Sequence, residues 1–364
     1  MADFKTPLYS THLSLNATMI PFAGYNLPSF YSSINHEHNV VRSHAGIFDV
    51  SHMGQFIVRG NGAIPFLQKL LVNDVESLKE GQAHYSAMCY KNGGIIDDLI
   101  VYKKKDEFML VVNASNREKD FNWLSKYIGG NVYINDVSDS TGLIAIQGPM
   151  SKKILQVLTD SNLSSIEYYH FINGKISGVD ALISRTGYTG ELGYELYINS
   201  EFLVTTWEKI IDAGQDHGIE PAGLGCRDTL RMEMKYLLYG MDIDEETNPI
   251  EAGLGWITKL NKANFIGRDA LRLAKKDLKR RLVCIIMAER AIPRKGCQIY
   301  YDNNLIGTIT SGTMSPSLGK GIGIGYVNSK YTNAKQNITV DIRGKVKKGM
   351  IIKPPFYKKG SLMD

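Results

Sequence analysis

The texture of the sequence changes between residues 275 and 281, and that change constrains the fold more than any other feature. Before it, apolar runs of strand and helix period alternate irregularly. After it, the chain breaks into short β-rich runs separated by Gly, Asn and Pro, with few helical periods. Irregular alternation argues for an α+β architecture rather than a doubly wound parallel sheet. The later texture predicts a small β-barrel or sandwich from about residue 280 to the end. A chain of 364 residues is too long for one ordinary core, so two or three domains are expected. We place the division between 1–275 and 276–364.

Within the first part, Gln55–Arg59, Met109–Asn113, Leu143–Ile146 and Ala181–Arg185 read as strands. Helical patterns fall at 63–71 and 116–127. A charged amphipathic helix is predicted near 262–280, with the basic run Lys275, Lys276, Lys279, Arg280 and Arg281. One stretch carries chemistry. In Asn92-Gly93-Gly94-Ile95-Ile96-Asp97-Asp98-Leu99-Ile100-Val101-Tyr102, two adjacent acids stand inside an apolar strand entered from a Gly-Gly turn. Neighbouring strand side chains point to opposite faces, so one acid faces water and the other faces inward. An inward carboxylate is costly without a partner or a task. The pair reads either as solvated turn-side acids or as a functional carboxyl with its support.

Several function classes are excluded. A net charge of +5 suits an anionic ligand or acidic partner but is far too small to argue for nucleic acid. Cys89, Cys226, Cys284 and Cys297 form no CxxC pair, and no HExxH occurs, so neither a disulfide framework nor a metal site is expected. His36 and His38 flank Glu37 on what reads as a solvated surface segment. Gly321-Ile322-Gly323-Ile324-Gly325 lacks dinucleotide-loop spacing and opens no helix. No Walker A sequence and no GxSxG elbow is present. The N-terminus has neither a signal core nor a transit composition, and no run approaches the ~18 apolar residues of a membrane span. A bacterial cytoplasmic location is the simplest expectation, a matured organellar protein the alternative.

Three further polar clusters stand out: Ile47–Gly54, Ser184–Glu195 and Pro221–Glu233. Each alone reads blandly, as a hydrogen-bonded turn at Ser51-His52, a Gly-rich hairpin, or a helix-start charge pair at Arg227-Asp228. Taken in order, the motifs resemble one family nearly end to end. They are Pro21-Phe22-Ala23-Gly24, Phe48-Asp49-Val50-Ser51-His52-Met53-Gly54, Gly93-Gly94-Ile95-Ile96-Asp97-Asp98, and Ile146-Gln147-Gly148-Pro149. They continue with Ser184-Arg185-Thr186-Gly187-Tyr188-Thr189-Gly190-Glu191, Gly223-Leu224-Gly225-Cys226-Arg227-Asp228, Asp242–Pro249, and Thr310-Ser311-Gly312 with Ser315-Pro316. The chain resembles the T-protein of the glycine cleavage system, the tetrahydrofolate-dependent aminomethyltransferase family.

That resemblance implies a three-domain cloverleaf around a central folate site, with two interleaved α+β subdomains in 1–275 and the barrel in 276–364. It implies transfer of an aminomethyl carbon from the lipoyl arm of the H-protein to tetrahydrofolate, giving 5,10-methylenetetrahydrofolate, ammonia and the dihydrolipoyl arm, with no metal. By motif position it makes Asp98 the catalytic acid and Asp97 its structural neighbour. Asp98 could act as a general base or as an ionised stabiliser of developing positive charge. Glu195 matches the pterin position, where a carboxylate can accept from an amino group and a ring N–H. Arg227 matches a ligand position, Tyr85 and Tyr188 offer aromatic walls, and Asn113 can bridge polar groups. Tyr236 and Phe356-Tyr357 are further candidates. The basic run 275–281 reads either as a steering surface for an acidic carrier or as a solvated helix face. Two rival readings share the resemblance. A folate-binding accessory protein of the iron–sulfur-assembly kind carries Lys-Gly-Cys with an aromatic and Gly-Gln; here Lys295-Gly296-Cys297 is followed by Gln298-Ile299-Tyr300. A demethylase or the folate domain of an amine oxidase is the other, and the oxidase would normally carry a flavin domain that this chain lacks.

Overall fold

The computed structural model describes residues 4–363. Three large β units are built from the chain, beside a two-stranded antiparallel ribbon of Thr18–Phe22 with Tyr25–Phe30. A five-stranded antiparallel sheet runs Gln82–Cys89, Ile95–Lys103, Glu107–Val112, Gly54–Arg59 and Tyr133–Asp136 in spatial order. A six-stranded sheet runs Phe171–Ile176, Val179–Ser184, Gly193–Asn199, Thr141–Gln147, Ala45–Asp49 and Ile219–Pro221, only the last joining in parallel. Ala45–Asp49 belongs to the six-stranded sheet and the next strand, Gly54–Arg59, to the five-stranded one, so the two units interleave in sequence. A closed six-stranded barrel follows from Arg280 to Ile352. The α+β expectation and the three-unit architecture with a terminal barrel agree with this structure.

The pleat explains how the sheets share their cores. Along Gly54–Arg59 and Glu107–Val112, Ile57, Met109 and Val111 point one way and Phe56, Val58, Phe108, Leu110 and Val112 the other. The first set meets Phe48, Leu143, Ala145, Leu182 and Tyr197 of the six-stranded sheet. The second meets helix Ala63–Leu70 and Leu124 of helix Arg117–Ser125. The acid-bearing strand obeys the same rule. Ile100 and Tyr102 face the inter-sheet side, and Leu99 and Val101 face the helices. By that parity Asp98 belongs to the inter-sheet side and Asp97 to the helix side.

Two sequence expectations are corrected. The charged helix spans only Arg268–Lys276. It is preceded by Gly267 at φ +90°, and Arg280 and Arg281 lie in the first barrel strand, where Arg280 binds Glu251 at 2.9 Å. His38 is not solvated but fully buried. Helix Ile34–Ser43 packs on helix Leu224–Met234. His38 Nδ1 lies 2.8 Å from Thr229 Oγ1 and its Nε2 lies 2.9 Å from Ser317 Oγ. His36, by contrast, is exposed and pairs with Glu220.

The C-terminal tail leaves the barrel and returns to the N-terminal part. Phe356 N donates to Glu233 O, and Ser361 donates through N and Oγ to Glu191 Oε2 at 2.7 and 2.6 Å. Gly360 lies so close that a Cβ would sit 2.1 Å from Gly190 O. Arg42 ties this region together, binding Glu191 at 2.7 Å and Glu233 at 2.8 Å beneath the Tyr357 ring.

Candidate active site

The turn before the two acids is clamped. A Cβ on Gly94 would lie 1.9 Å from Glu245 O, so this position excludes every side chain. Ile95 N, directly after it, is within bonding range of Thr247 O at 2.9 Å and Asp244 O at 3.1 Å. Pairing with the neighbouring strand ends at Leu99–Val112. Asp97 and Asp98 therefore run past the end of their neighbour, and Asn113, one residue beyond that strand, folds its amide into the gap.

Both acids are held there by specific donors. Asn113 Nδ2 donates to Asp97 Oδ1 and to Asp98 Oδ1, each at 2.8 Å, while Asn113 N donates to Asp97 Oδ2 at 3.1 Å. Asn116 Nδ2 donates to Asp97 Oδ1 at 2.6 Å. Tyr85 Oη donates to Asp98 Oδ2 at 2.8 Å. Asp97 is fully buried, whereas Asp98 is half-buried. Burial, then the neighbouring Asp97, push the Asp98 carboxyl up to about 7, against the opposing pull of the Tyr85 and Asn113 bonds.

A second acid stands across the inter-sheet space. Glu195, on strand Gly193–Asn199, accepts a 2.5 Å bond from Thr186 Oγ1 at Oε2. Burial raises its proton affinity, while that bond and Arg227 lower it. Thr186 belongs to a buried hydroxyl network in which its Oγ1 lies 2.9 Å from Ser184 Oγ and 3.3 Å from Tyr102 Oη. Tyr102 Oη in turn lies 2.9 Å from Tyr197 Oη. Tyr102 and Asp98 share one face of one strand, so this network ties Glu195 to the sheet face that carries Asp98. The Arg227 guanidinium sits 4.4 Å over the Tyr188 ring, which stacks on Tyr236 with centroids 5.5 Å apart. Tyr188 Oη donates to Leu237 O.

The structure brings the six candidates into one connected group. Asp98 bonds Tyr85 and Asn113; its charge reaches Tyr188, and Arg227 reaches both Tyr188 and Glu195. All six are half-buried, although their supports Asp97, Asn116, Thr186 and Tyr102 are buried. Partial exposure with convergent polar groups is what a ligand site requires. Some details differ from the sequence expectation. Arg227 does not pair with Asp228, which instead binds Arg231 at 2.8 Å. Tyr85 presents its hydroxyl to Asp98 as well as its ring, which lies 6.2 Å from Trp256. Asn113 lies one residue past its strand rather than on it. Local patterning marks neither Thr186 nor Asn116 as a site residue, although Asn116 and the buried Asp120 are four apart, hence on one helix face.

The residues fit a flat nitrogenous ligand. Glu195 Oε2 is taken by Thr186, so Oε1 is the acceptor it can offer. Arg227 supplies a planar donor beside it.

Comparison with known proteins gives this architecture a class. The family model described as the GCVT N-terminal domain matches residues 8–262, and the glycine cleavage T-protein C-terminal barrel domain matches 280–358. An aminomethyltransferase of Halothermothrix orenii is 49% identical over 97% of this chain and 99% of its own. One from Caldanaerobacter subterraneus is 50% identical over 98% of this chain and 96% of its own. The crystal structure of glycine cleavage system aminomethyltransferase T from Bartonella henselae superposes with a TM-score of 0.92, at 32% identity, over 98% of this chain and 99% of that one. Fold and matches thus define a T-protein-type chain, an N-terminal pair of interleaved sheets closed by a barrel. The chain belongs to the glycine cleavage T-protein family.

Proposed function

We propose that this chain is the aminomethyltransferase of a glycine cleavage system. It moves the aminomethyl carbon from the lipoyl arm of a lipoylated H-protein to tetrahydrofolate, giving 5,10-methylenetetrahydrofolate, ammonia and dihydrolipoyl H-protein. The near-full-length similarity to aminomethyltransferases supports the reaction. The observation that carries the site is Asp98, half-buried and pushed up to about 7 between Tyr85 and Asn113.

That proton affinity supports one of the two roles left open by the sequence. A pure electrostatic stabiliser works best when ionised throughout the working range. A carboxyl titrating near neutrality is matched instead to taking and returning a proton. We assign Asp98 the general-base role at the attacking nitrogen of the acceptor. Tyr85 and Asn113 hold its two oxygens and fix the direction of the remaining lone pairs. Asp97, buried and bonded to Asn113 and Asn116, orients the bridge. Glu195 Oε1 and Arg227 bind the ring edge of the acceptor, and the Tyr85 and Tyr188 rings bound its faces. No step calls on a metal.

The remaining readings are finer. We infer a bacterial cytoplasmic location; among the described residues no helix is long and apolar enough to cross a membrane. We read 1–275 and 276–364 as the folding units. The exposed Lys275, Lys276 and Lys279 form the steering face for an acidic carrier. The reaction is tested with an aminomethylated H-protein. Ammonia release should accelerate on adding tetrahydrofolate, with methylene-folate accumulating; no acceleration and no methylene-folate would defeat the reading.

A further inference from the structure

One buried acid takes no part in the mechanism above. Asp120 lies on helix Arg117–Ser125 and is fully buried. No N–H or O–H donor reaches either of its carboxyl oxygens. The group within hydrogen-bonding reach is another carboxyl, that of Asp97. Asp97 faces the helix side of its strand, as the pleat requires. Two ionised carboxylates have only acceptors to offer one another, and unpaired buried charges are costly. A buried contact between them needs one proton.

The neighbours decide where that proton sits. Asp97 already accepts from Asn113 N, Asn113 Nδ2 and Asn116 Nδ2, and such bonds favour its ionised form. Asp120 has none. Lys119, the adjacent cation on the same helix, is turned away: its Nζ donates to Ile96 O at 2.6 Å and to Tyr239 Oη at 2.9 Å. Tyr90, Tyr239 and Glu245 complete the titratable surroundings from the packed loops, and Asp98 lies beyond Asp97. None of them donates to Asp120. Among the described residues no group of three or more His, Cys, Asp or Glu side chains is placed to hold a metal ion. Burial and the Asp97 charge push Asp120 up to about 11, in agreement with the bonding pattern.

We propose that Asp120 is a positioning residue: it carries a proton and donates it to Asp97, locking the carboxylate that orients Asn113 and, through the shared amide, Asp98. The inference rests on the reading of Asp98 as the reacting carboxyl. It makes the site a relay of four side chains, from helix Arg117–Ser125 to the inter-sheet face, in which only the last touches substrate. Misplacing a reacting group by about 1 Å can cost ~100-fold, so a support three hydrogen bonds away matters.

The test uses infrared spectroscopy and single-turnover kinetics on the full chain. At about pH 9, above the titration of Asp98, the wild-type protein should show the C=O stretch of a buried carboxylic acid, and Asp120→Asn should lose it. Absence of that band, or its survival in Asp120→Asn, overturns the proposal. Asp120→Asn keeps an N–H donor in place, so its rate should stay within about threefold with the acid limb of the pH profile unmoved. Asp120→Leu has no donor and should lose ~10- to 100-fold in rate, with the KM for folate changing far less. A shifted acid limb in Asp120→Asn, or full rate in Asp120→Leu, also overturns it. If Asp120→Leu does not fold, the infrared band and Asp120→Asn still decide. Near-normal turnover in Asp98→Asn would defeat the reading of Asp98 separately, because the band reports on Asp120 alone.

Discussion

The Tyr85 hydroxyl donates to Asp98 Oδ2 at 2.8 Å, so the residue expected only as an aromatic wall also sets the proton affinity of the acid. The bond favours the ionised carboxylate and opposes the upward push of burial and Asp97. Tyr85→Phe removes that bond and keeps the ring. A bond to a charged group is worth about 1.5–3 kcal/mol, or roughly one to two pKa units. The acid limb of the single-turnover profile, expected near 7, should move up by that amount. Activity at neutrality falls and much of it returns in alkaline buffer. A limb that stays in place would remove Tyr85 from control of Asp98.

The rate needs the ionised form of Asp98, so activity should rise with pH through about 7 and flatten above it. Because Asp97 and Asp98 are coupled, the measured midpoint belongs to the pair. Asp98→Asn should abolish this limb and lower methylene-folate formation ~100- to 10,000-fold while sparing most folate binding. Asp97→Asn should cost stability, since Asp97 is fully buried and its donors lose a charged acceptor, and should lower the rate by no more than the ~10- to 100-fold of a misplaced Asp98. Single-turnover rates at saturating folate check both, and a larger chemical loss at Asp97 would reverse the assignment.

Glu195→Gln should weaken folate binding more than it slows the chemical step. The amide keeps the shape but turns a donor towards a donor edge, at a cost of about 1.5–3 kcal/mol. Titration calorimetry reads this directly, and unchanged affinity would take Glu195 out of the pocket.

Glu233 gives a pH dependence of stability. Burial alone would raise its carboxyl, but His38, Arg42 and Ser315 outweigh burial and hold it down to about 2. A carboxyl depressed in the folded state contributes stability that is complete above its unfolded pKa of ~4.3 and is lost as pH falls towards 2. Glu233→Gln should therefore destabilise at neutral pH by about 3–5 kcal/mol, as expected for a buried ion pair broken on one side. The difference from wild type should shrink in acid. Urea denaturation at pH 7 and pH 3 measures both ends; a constant difference would contradict the argument.

Carrier association should slow with added salt, because steering acts through screened charges. Lys275 and Lys276 changed together to Glu should raise the carrier KM and leave folate affinity alone. An unmoved carrier KM would return this run to ordinary solvated helix surface.

The parts of the fold that were legible in sequence are those governed by local period. The Gly93-Gly94 turn, the apolar run after it and the alternation in Gln55–Arg59 are local signals, and strands stand at each place. Helices were legible within a residue or two at Ala63–Leu70 and Arg117–Ser125. What could not be read was tertiary. His38 looks like a surface histidine until the second helix brings Thr229 to it. Thr186 acquires meaning only when adjacent strands set it beside Glu195, nine residues on. Asp120 is one acid among the charged residues of a helical segment until its helix docks on the pleat face that carries Asp97.

The returning tail has a mechanical consequence. The barrel is attached to the rest of the molecule on several sides: by the covalent passage through 277–280, by its own wall, where Thr310 reaches Asp242 and Ser315 and Ser317 reach Glu233, and by the strap from Phe356 to Ser361, anchored on Glu233 and Glu191. A body moored at one point can swing outward like a gate. A body moored on several sides is held against its neighbours. Access to the inter-sheet site should therefore be governed by local side chains and loops rather than by a departing barrel, and a cut in the passage near 278 should leave the two halves associated on gel filtration.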